Sequence, residues 1–164
     1  MFQSKLISKM AKLKLYCSVI RPVVTYACET WTLKETIINR LMVFERKVLR
    51  RIYGPTNENG IWQIKTNQEL HKIIKHKNIM NFIRAQSLGW LGHIKRMQET
   101  RMVKAIYSWK PISRGPIGRP KIRWEGDVRK DIQKLKVPNW KTHVQDRRRW
   151  KELVEKAKTL HKEL

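Results

Sequence analysis

Residues 32–55 read TLKETIINRLMVFERKVLRRIYGP. Thr32 to Glu35 has the Thr-x-x-Glu spacing of a capping box, in which a hydroxyl and a carboxylate satisfy amides that a helix start leaves without partners. Ile37, Leu41, Phe44, Val48 and Ile52 then recur at helical intervals and form one apolar stripe. Gly54-Pro55 closes the helix, because glycine accepts the left-handed turn after a helix and proline cannot continue it. A helix of this kind must bury its stripe against other elements, and the rest of the chain offers mainly more helices. The fold class is therefore all-α: a small helical N-terminal unit plus a basic C-terminal helical bundle.

The same grammar runs in both directions from this stretch. Towards the N-terminus, Leu13, Tyr16, Cys17, Ile20, Val24 and Ala27 share helical spacing over residues 9–30. Pro22 is expected to kink or split that helix, and the β-branched run Val23-Val24-Thr25 leaves a short strand as the alternative. Towards the C-terminus, residues 55–60 form a turn-rich linker, and residues 61–64 suit one short strand. The linker sets the expected division into a thumb-like helical unit, residues 1–60, and a basic helical unit, residues 61–164. Thr66 to Glu69 is a second capping box, opening a helix with Leu70, Ile73 and Ile74. Asn78 restarts a helix carrying Ile79, Phe82, Ile83 and Leu88, while Gly89 and Gly92 are expected to weaken its next turn. Thr100 suits the cap of a short helix through Val103, Ile106 and Trp109. Trp124, Val128, Ile132 and Leu135 define another helix. Val137-Pro138-Asn139 breaks it, residues 140–145 suit one turn, and Trp150, Leu153, Val154, Ala157 and Leu160 share a face of a last helix over 147–162.

Charge narrows the function. The 164 residues contain 37 Lys plus Arg against 13 Asp plus Glu, a net charge of +24. Cations exceed anions in residues 1–60, 61–110 and 111–164 alike, so the bias is not a terminal tail. A polyanion explains it best. Apolar residues make up 41%, enough for a modest core. No uncharged run reaches the ~20 residues that span a bilayer, so no membrane partner is expected. Lysines interrupt the N-terminus, so no signal peptide is visible. Cys17 and Cys28 imply no disulfide framework, and a nuclear or cytoplasmic location fits.

The densest cations lie in the run Gly118-Arg119-Pro120-Lys121-Ile122-Arg123-Trp124, with Arg114 before it, and in Asp146-Arg147-Arg148-Arg149-Trp150. Guanidinium groups on a Gly/Pro-punctuated loop suit bidentate phosphate contact. Arg114, Arg119, Lys121, Arg123, Arg147, Arg148 and Arg149, with Lys95 and Arg96, are the candidate nucleic-acid-binding residues. Trp62 and Trp90 are the candidates for base stacking. Trp150, Trp124 and Trp140 are better suited to packing helices together. No metal or cofactor is expected: His71, His76, His93 and the two cysteines lack paired-ligand spacing. Glu125, Asp127 and Asp131 suit the positive start of a helix, with Asp127 pairing Lys130 and Asp131 pairing Lys134.

Five blocks in order carry a resemblance. They are Leu15-Tyr16 with Ile20-Arg21-Pro22, Tyr26, Glu29 and Trp31; Phe44-Glu45-Arg46-Lys47-Val48-Leu49-Arg50 with Tyr53-Gly54-Pro55; Gly89-Trp90-Leu91-Gly92-His93-Ile94-Lys95-Arg96-Met97; the Gly118–Trp124 run; and Asp146 to Trp150. Together they resemble the C-terminal region of non-LTR (LINE-like) retrotransposon reverse transcriptases of animals, over nearly the whole chain. Two departures stand out. Ala27 replaces a usual Gly, which is expected to relax a close backbone approach, and Gly126 replaces a common Asp. The resemblance implies the thumb of the polymerase plus the basic segment after it. The chain has no Phe/Tyr-x-Asp-Asp pair, and the family's polymerase needs palm carboxylates to hold two divalent cations. The chain is therefore expected to be a non-catalytic fragment, not an enzyme, that binds RNA or DNA backbone without strong sequence preference. For a fragment, the missing polymerase portion of the parent element is a further partner. The alternatives are a remnant that folds poorly without the palm and a host-adapted DNA- or chromatin-binding protein.

Overall fold

A computed structural model describes residues 2, 4, 6–74, 78–109 and 123–159. Among them the chain is helical apart from one two-stranded hairpin, so the all-α class holds. Helix α1 (Lys9–Leu15) continues through a π-helical turn, Tyr16–Ile20, into α2 (Arg21–Val24). Pro22 accounts for the wide turn. It has no N–H to donate to a carbonyl four residues back, and the Arg21 N–H before it reaches back five residues to the Tyr16 carbonyl. The expected kink is thus a π-bulge. The strand alternative for Val23-Val24-Thr25 is not taken. Ala27 then turns the chain at φ 54° into a 3₁₀ turn, Cys28–Thr30.

Helix α3 (Glu35–Tyr53) starts with Lys34 as its cap and no side-chain capping bond. The expected box at Thr32 does not form. Trp31 and Leu33 pack instead against the cluster around Ile79 and Met80, and burying them outweighs a cap worth about 1 kcal/mol. The buried stripe of α3 also differs from the expected one. It runs Leu41, Glu45, Leu49 and Ile52, and Ile37 is exposed. A carboxylate, Glu45, sits at its centre. Gly54, at φ 70°, ends the helix as expected.

Residues 55–60, expected as linker, include β1 (Thr56–Glu58), which pairs antiparallel with β2 (Ile61–Gln63) in the register Thr56 to Gln63 and Glu58 to Ile61. Asn59 and Gly60 join them at φ 54° and 84°, the two positive values of a tight hairpin turn. The second capping box forms. Thr66 N–H donates to Glu69 Oε2 at 2.6 Å, and Glu69 N–H donates to Thr66 Oγ1 at 3.3 Å, at the start of α4 (Asn67–Ile74).

Helix α5 (Ile79–Arg96) is the axle of the fold. Asn78 caps it, accepting from Asn81 N–H at 2.7 Å. Its first half gives Ile79, Met80 and Ile83 to a core with Cys28 and Leu41. Its second half gives Ala85, Leu88 and Leu91 to a core with Val128, Ile132, Val144, Trp150 and Ala157. These come from α7 (Trp124–Lys134), the turn after α8 (Trp140–His143), and α9 (Arg147–Thr159). A third cluster, Leu49, Leu70 and Ile74, joins α3 to α4. Burying each such aliphatic side chain contributes about 1.5–3 kcal/mol.

Gly92 does not weaken α5, which is continuous through it. It makes room for Trp150: a Cβ there would lie 2.0 Å from the indole nitrogen. That nitrogen donates to the Leu88 carbonyl at 2.9 Å. Trp124 donates its indole N–H to the Glu29 carbonyl at 2.6 Å, 95 residues away in sequence. Helix α6 (Met102–Ser108) is present, but no side chain caps it, and Val103, Ile106 and Trp109 are exposed rather than packed.

Candidate nucleic-acid interface

The carboxyl end of α5 presents carbonyls without helical partners and the negative pole of the helix dipole, so it attracts cations. Lys104 Nζ donates to the Lys95 carbonyl at 3.0 Å and the Ile94 carbonyl at 3.4 Å. Arg96 Nη1 donates to the Val144 carbonyl at 2.8 Å, tying α5 to the chain between α8 and α9. Lys95 Nζ rests 4.4 Å from the centre of the Tyr107 ring, a cation–π contact. The Tyr107 hydroxyl donates to Glu125 Oε1 at 2.6 Å, and Arg129 Nη2 and Nε donate to the same oxygen at 2.7 and 3.1 Å. The Trp124 ring meets Tyr107 edge-on at 6.3 Å.

Crowding shifts the ionisable groups here. Burial holds the Lys95 ammonium below its ordinary range. Glu125 opposes this, while Lys104, Arg129 and Lys141 add to it. Burial and the nearby Arg147 lower Arg96. Burial alone would push the Glu125 carboxyl up, but bonds from Tyr107 and Arg129 and the charges of Arg129 and Lys95 outweigh it and hold the group low.

Asp146 opens α9. Its Oδ1 accepts from the Arg148 and Arg149 N–H groups at 2.9 and 3.2 Å. The motif Asp146 to Trp150 thus combines a helix cap with a core anchor. Between them, Arg147, Arg148 and Arg149 are exposed. Arg123 is exposed at the start of α7. Arg114, Arg119 and Lys121 lie outside the described residues, as does Leu160. Lys95 and Arg96 are half-buried and engaged by the protein itself. Of the stacking candidates, Trp62 on β2 is 68% exposed. Trp90 is half-buried, its ring 5.3 Å from that of His93.

Of the acidic trio, Glu125 and Asp127 lie in the first turn of α7, whereas Asp131 falls in its second half and serves as an ion-pair partner. Asp127 lies 3.9 Å from Lys130, Asp131 lies 3.4 Å from Lys134 and 3.6 Å from Arg84, and Glu125 binds Arg129. Among the described residues no helix is long and apolar enough to cross a bilayer. Arg129, Lys141 and Tyr107 were not singled out in the sequence. The Glu125–Arg129 spacing was a usable local signal, whereas nothing local links Tyr107 or Lys141 to Lys95.

The chain is similar to an uncharacterised transposon-derived protein of Caenorhabditis elegans, 24% identical over 157 residues that cover 92% of this chain and 56% of that protein. It thus spans little more than half the length of the curated relative it matches. No family model and no solved structure matches. The likeness is consistent with a transposon origin.

Proposed function

We propose that the chain is the non-catalytic thumb and tail of a non-LTR retrotransposon reverse transcriptase, and that it grips RNA or DNA through the phosphate backbone. The observation that carries this reading is the interlock of the resembling blocks. Trp150 of the last block seats over Gly92 of the third, and Asp146 caps the helix that delivers it. Tyr16 of the first block donates its hydroxyl to Glu45 of the second at 3.0 Å. Blocks that depend on one another physically are a coherent set rather than separate chance matches. The surplus of cations, spread over a folded core, supports the partner. Backbone recognition of this kind gains its free energy from released counterions and carries little base preference.

The test is a titration of the purified chain with labelled single-stranded RNA and duplex DNA at several salt concentrations. The logarithm of the binding constant is expected to fall linearly with that of salt, alike for unrelated sequences, with no metal-dependent primer extension. Salt-insensitive binding, or extension that survives repurification, would overturn the reading.

A further inference from the structure

We propose that Lys95, Arg129 and Lys141 form a phosphodiester subsite at the carboxyl end of α5, with Glu125 as the residue that positions Arg129. This rests on the nucleic-acid reading above and places the grip on helix ends, apart from the loop arginines that the sequence favours.

The cations here divide into two kinds. Lys104 and Arg96 bond backbone carbonyls, which is the ordinary structural use of cations at this end of a helix. Lys95 instead stands on the Tyr107 ring, whose hydroxyl shares Glu125 Oε1 with the Arg129 guanidinium of α7, and the charges of Arg129 and of Lys141 on α8 both reach the Lys95 ammonium. The carboxylates nearby are Glu125 and Glu99, and Glu99 is 81% exposed beside Lys104 at 3.4 Å. Positive charge therefore exceeds negative in a partly desolvated place, where a phosphate is attracted more strongly than on an open surface.

The geometry favours phosphate over a generic counterion. Glu125 Oε1 holds Arg129 through Nε and Nη2, so the guanidinium is fixed before any ligand arrives and little rotamer entropy remains to be lost. A planar guanidinium suits phosphate oxygens, and two ammonium groups beside it add charge without demanding orientation. The face of Tyr107 excludes water from one side of Lys95.

The experiment uses the full chain and a short labelled single-stranded RNA, titrated at several salt concentrations. The variants are Arg129→Gln with Lys141→Gln; Glu125→Gln; and, as a charge-matched control, Lys156→Gln with Lys158→Gln. The control lies at the opposite end of α5, where the Lys158 carbonyl accepts from Asn81. Circular dichroism and thermal unfolding check the fold. Arg129 and Lys141 are exposed, so the first variant is expected to fold and to flatten the salt slope by about 1.4, at about 0.7 per contact on a single strand. The control should leave the slope unchanged. Glu125→Gln keeps an oxygen for Tyr107 but loosens its hold on Arg129, so binding should weaken roughly two- to tenfold, the cost of immobilising one side chain; tighter binding would show that Glu125 opposes the phosphate and does not position Arg129. If the double variant unfolds, Lys141→Gln alone reads the same effect at about 0.7. An unchanged slope in a folded variant, or an equal loss in the control, overturns the subsite while leaving nucleic-acid binding standing. A wild-type chain with no salt-dependent binding overturns the reading beneath it.

Discussion

The two ends of α5 meet the same electrostatic demand with opposite degrees of wetness. At the amino end the partner of the helix dipole is a buried carboxyl group. Glu45, 5% exposed, accepts from the Ile79 N–H at 2.9 Å and the Tyr16 hydroxyl at 3.0 Å. Arg21, stacked 4.4 Å from the Phe82 ring centre, lends its field. At the carboxyl end the terminal carbonyls are met by Lys104, itself buried, but exposed cations gather beyond it, among them Arg129, Lys141 and Arg147, whose charges act on Lys95 and Arg96. A dry end fixes geometry: three segments converge on one carboxylate, and nothing there can exchange for a ligand without unfolding. A wet end keeps its charges available. The same helix can thus be rigidly held at one pole and offer the proposed phosphate subsite at the other.

The strongest challenge to this division is steric and falls on the half that carries the wet end. In Gly92→Ala the new Cβ would lie 2.0 Å from Trp150 Nε1 and 2.2 Å from Cδ1. The ring cannot step aside without leaving its bond to Leu88 and its place in the core. We expect a loss of about 3 kcal/mol or more, at the upper end for overpacking, read from the denaturant midpoint. Hydrogen exchange should show the loss of protection concentrated in 124–159 and smaller in 35–53. An unchanged midpoint would mean that α9 is not locked to α5.

The next largest effect probes the dry end. Removing the carboxylate in Glu45→Ala strands the Ile79 amide and the Tyr16 hydroxyl and should lose about 2–3 kcal/mol. The pH dependence has a definite sign. Burial is the main cause raising the Glu45 carboxyl above 4.5, against the bonds from Ile79 and Tyr16 and the charge of Arg21. The folded state therefore holds this proton more tightly than the unfolded state. The stability it contributes is fully present below pH 4.5 and is lost as pH rises through the higher folded value. Glu125 at the wet end has the opposite sign, because its carboxyl is held low. Its contribution is present above the unfolded value and lost as pH falls through the folded one. Glu45→Gln, whose amide oxygen can accept the same two bonds, should abolish the first dependence and leave the second. Thermal unfolding of wild type and Glu45→Gln from acid to neutral pH checks this; parallel curves would break the contrast between the two ends.

The residues that defeat a reading of the sequence share one property: their partners are distant. The stripes of α7 and α9 were legible because Val128 and Ile132, or Trp150 and Ala157, repeat at helical intervals within one window. The Thr66–Glu69 box was legible for the same reason. The box at Thr32 had the same letters and failed, because Trp31 and Leu33 are claimed by residues of α5 that no local window contains. Glu45 looks like a surface residue, and only Tyr16 and Ile79, 29 and 34 positions away, make it the centre of the α3 face. Gly92 looked like a weak point of a helix, since the indole that needs the space comes from α9. The Asn59-Gly60 turn was within reach, but β1 and β2 are three residues each and give almost no alternation to support it. For the interface, abundance of cations was plain in the composition. Which of them gather at the end of α5 depends on the crossing of α6, α7 and α8, and spacing along the chain does not contain that.

The smallest expected effect is a gain. At Ala27 the sequence suggests a relaxed close approach of backbones. The structure shows a different constraint: Ala27 sits at φ 54° and ψ 23°, the left-handed region, which a Cβ makes unfavourable by about 1–2 kcal/mol. The turn is nevertheless held, because the next residue, Cys28, is buried against the first half of α5, and the carbonyl of Glu29 receives the Trp124 indole. Tertiary packing on the dry half of the helix thus imposes the backbone strain. Ala27→Gly should release it. Glycine also gives the unfolded chain more freedom, which takes back part of the gain. The net expectation is stabilisation of about 0.5–1 kcal/mol, seen as a higher denaturant midpoint at unchanged slope, with no change in RNA binding at the other end of α5. A destabilised variant would show that Ala27 is held by side-chain contact rather than forced by its neighbours, and a change in binding would show that the two ends of α5 are coupled.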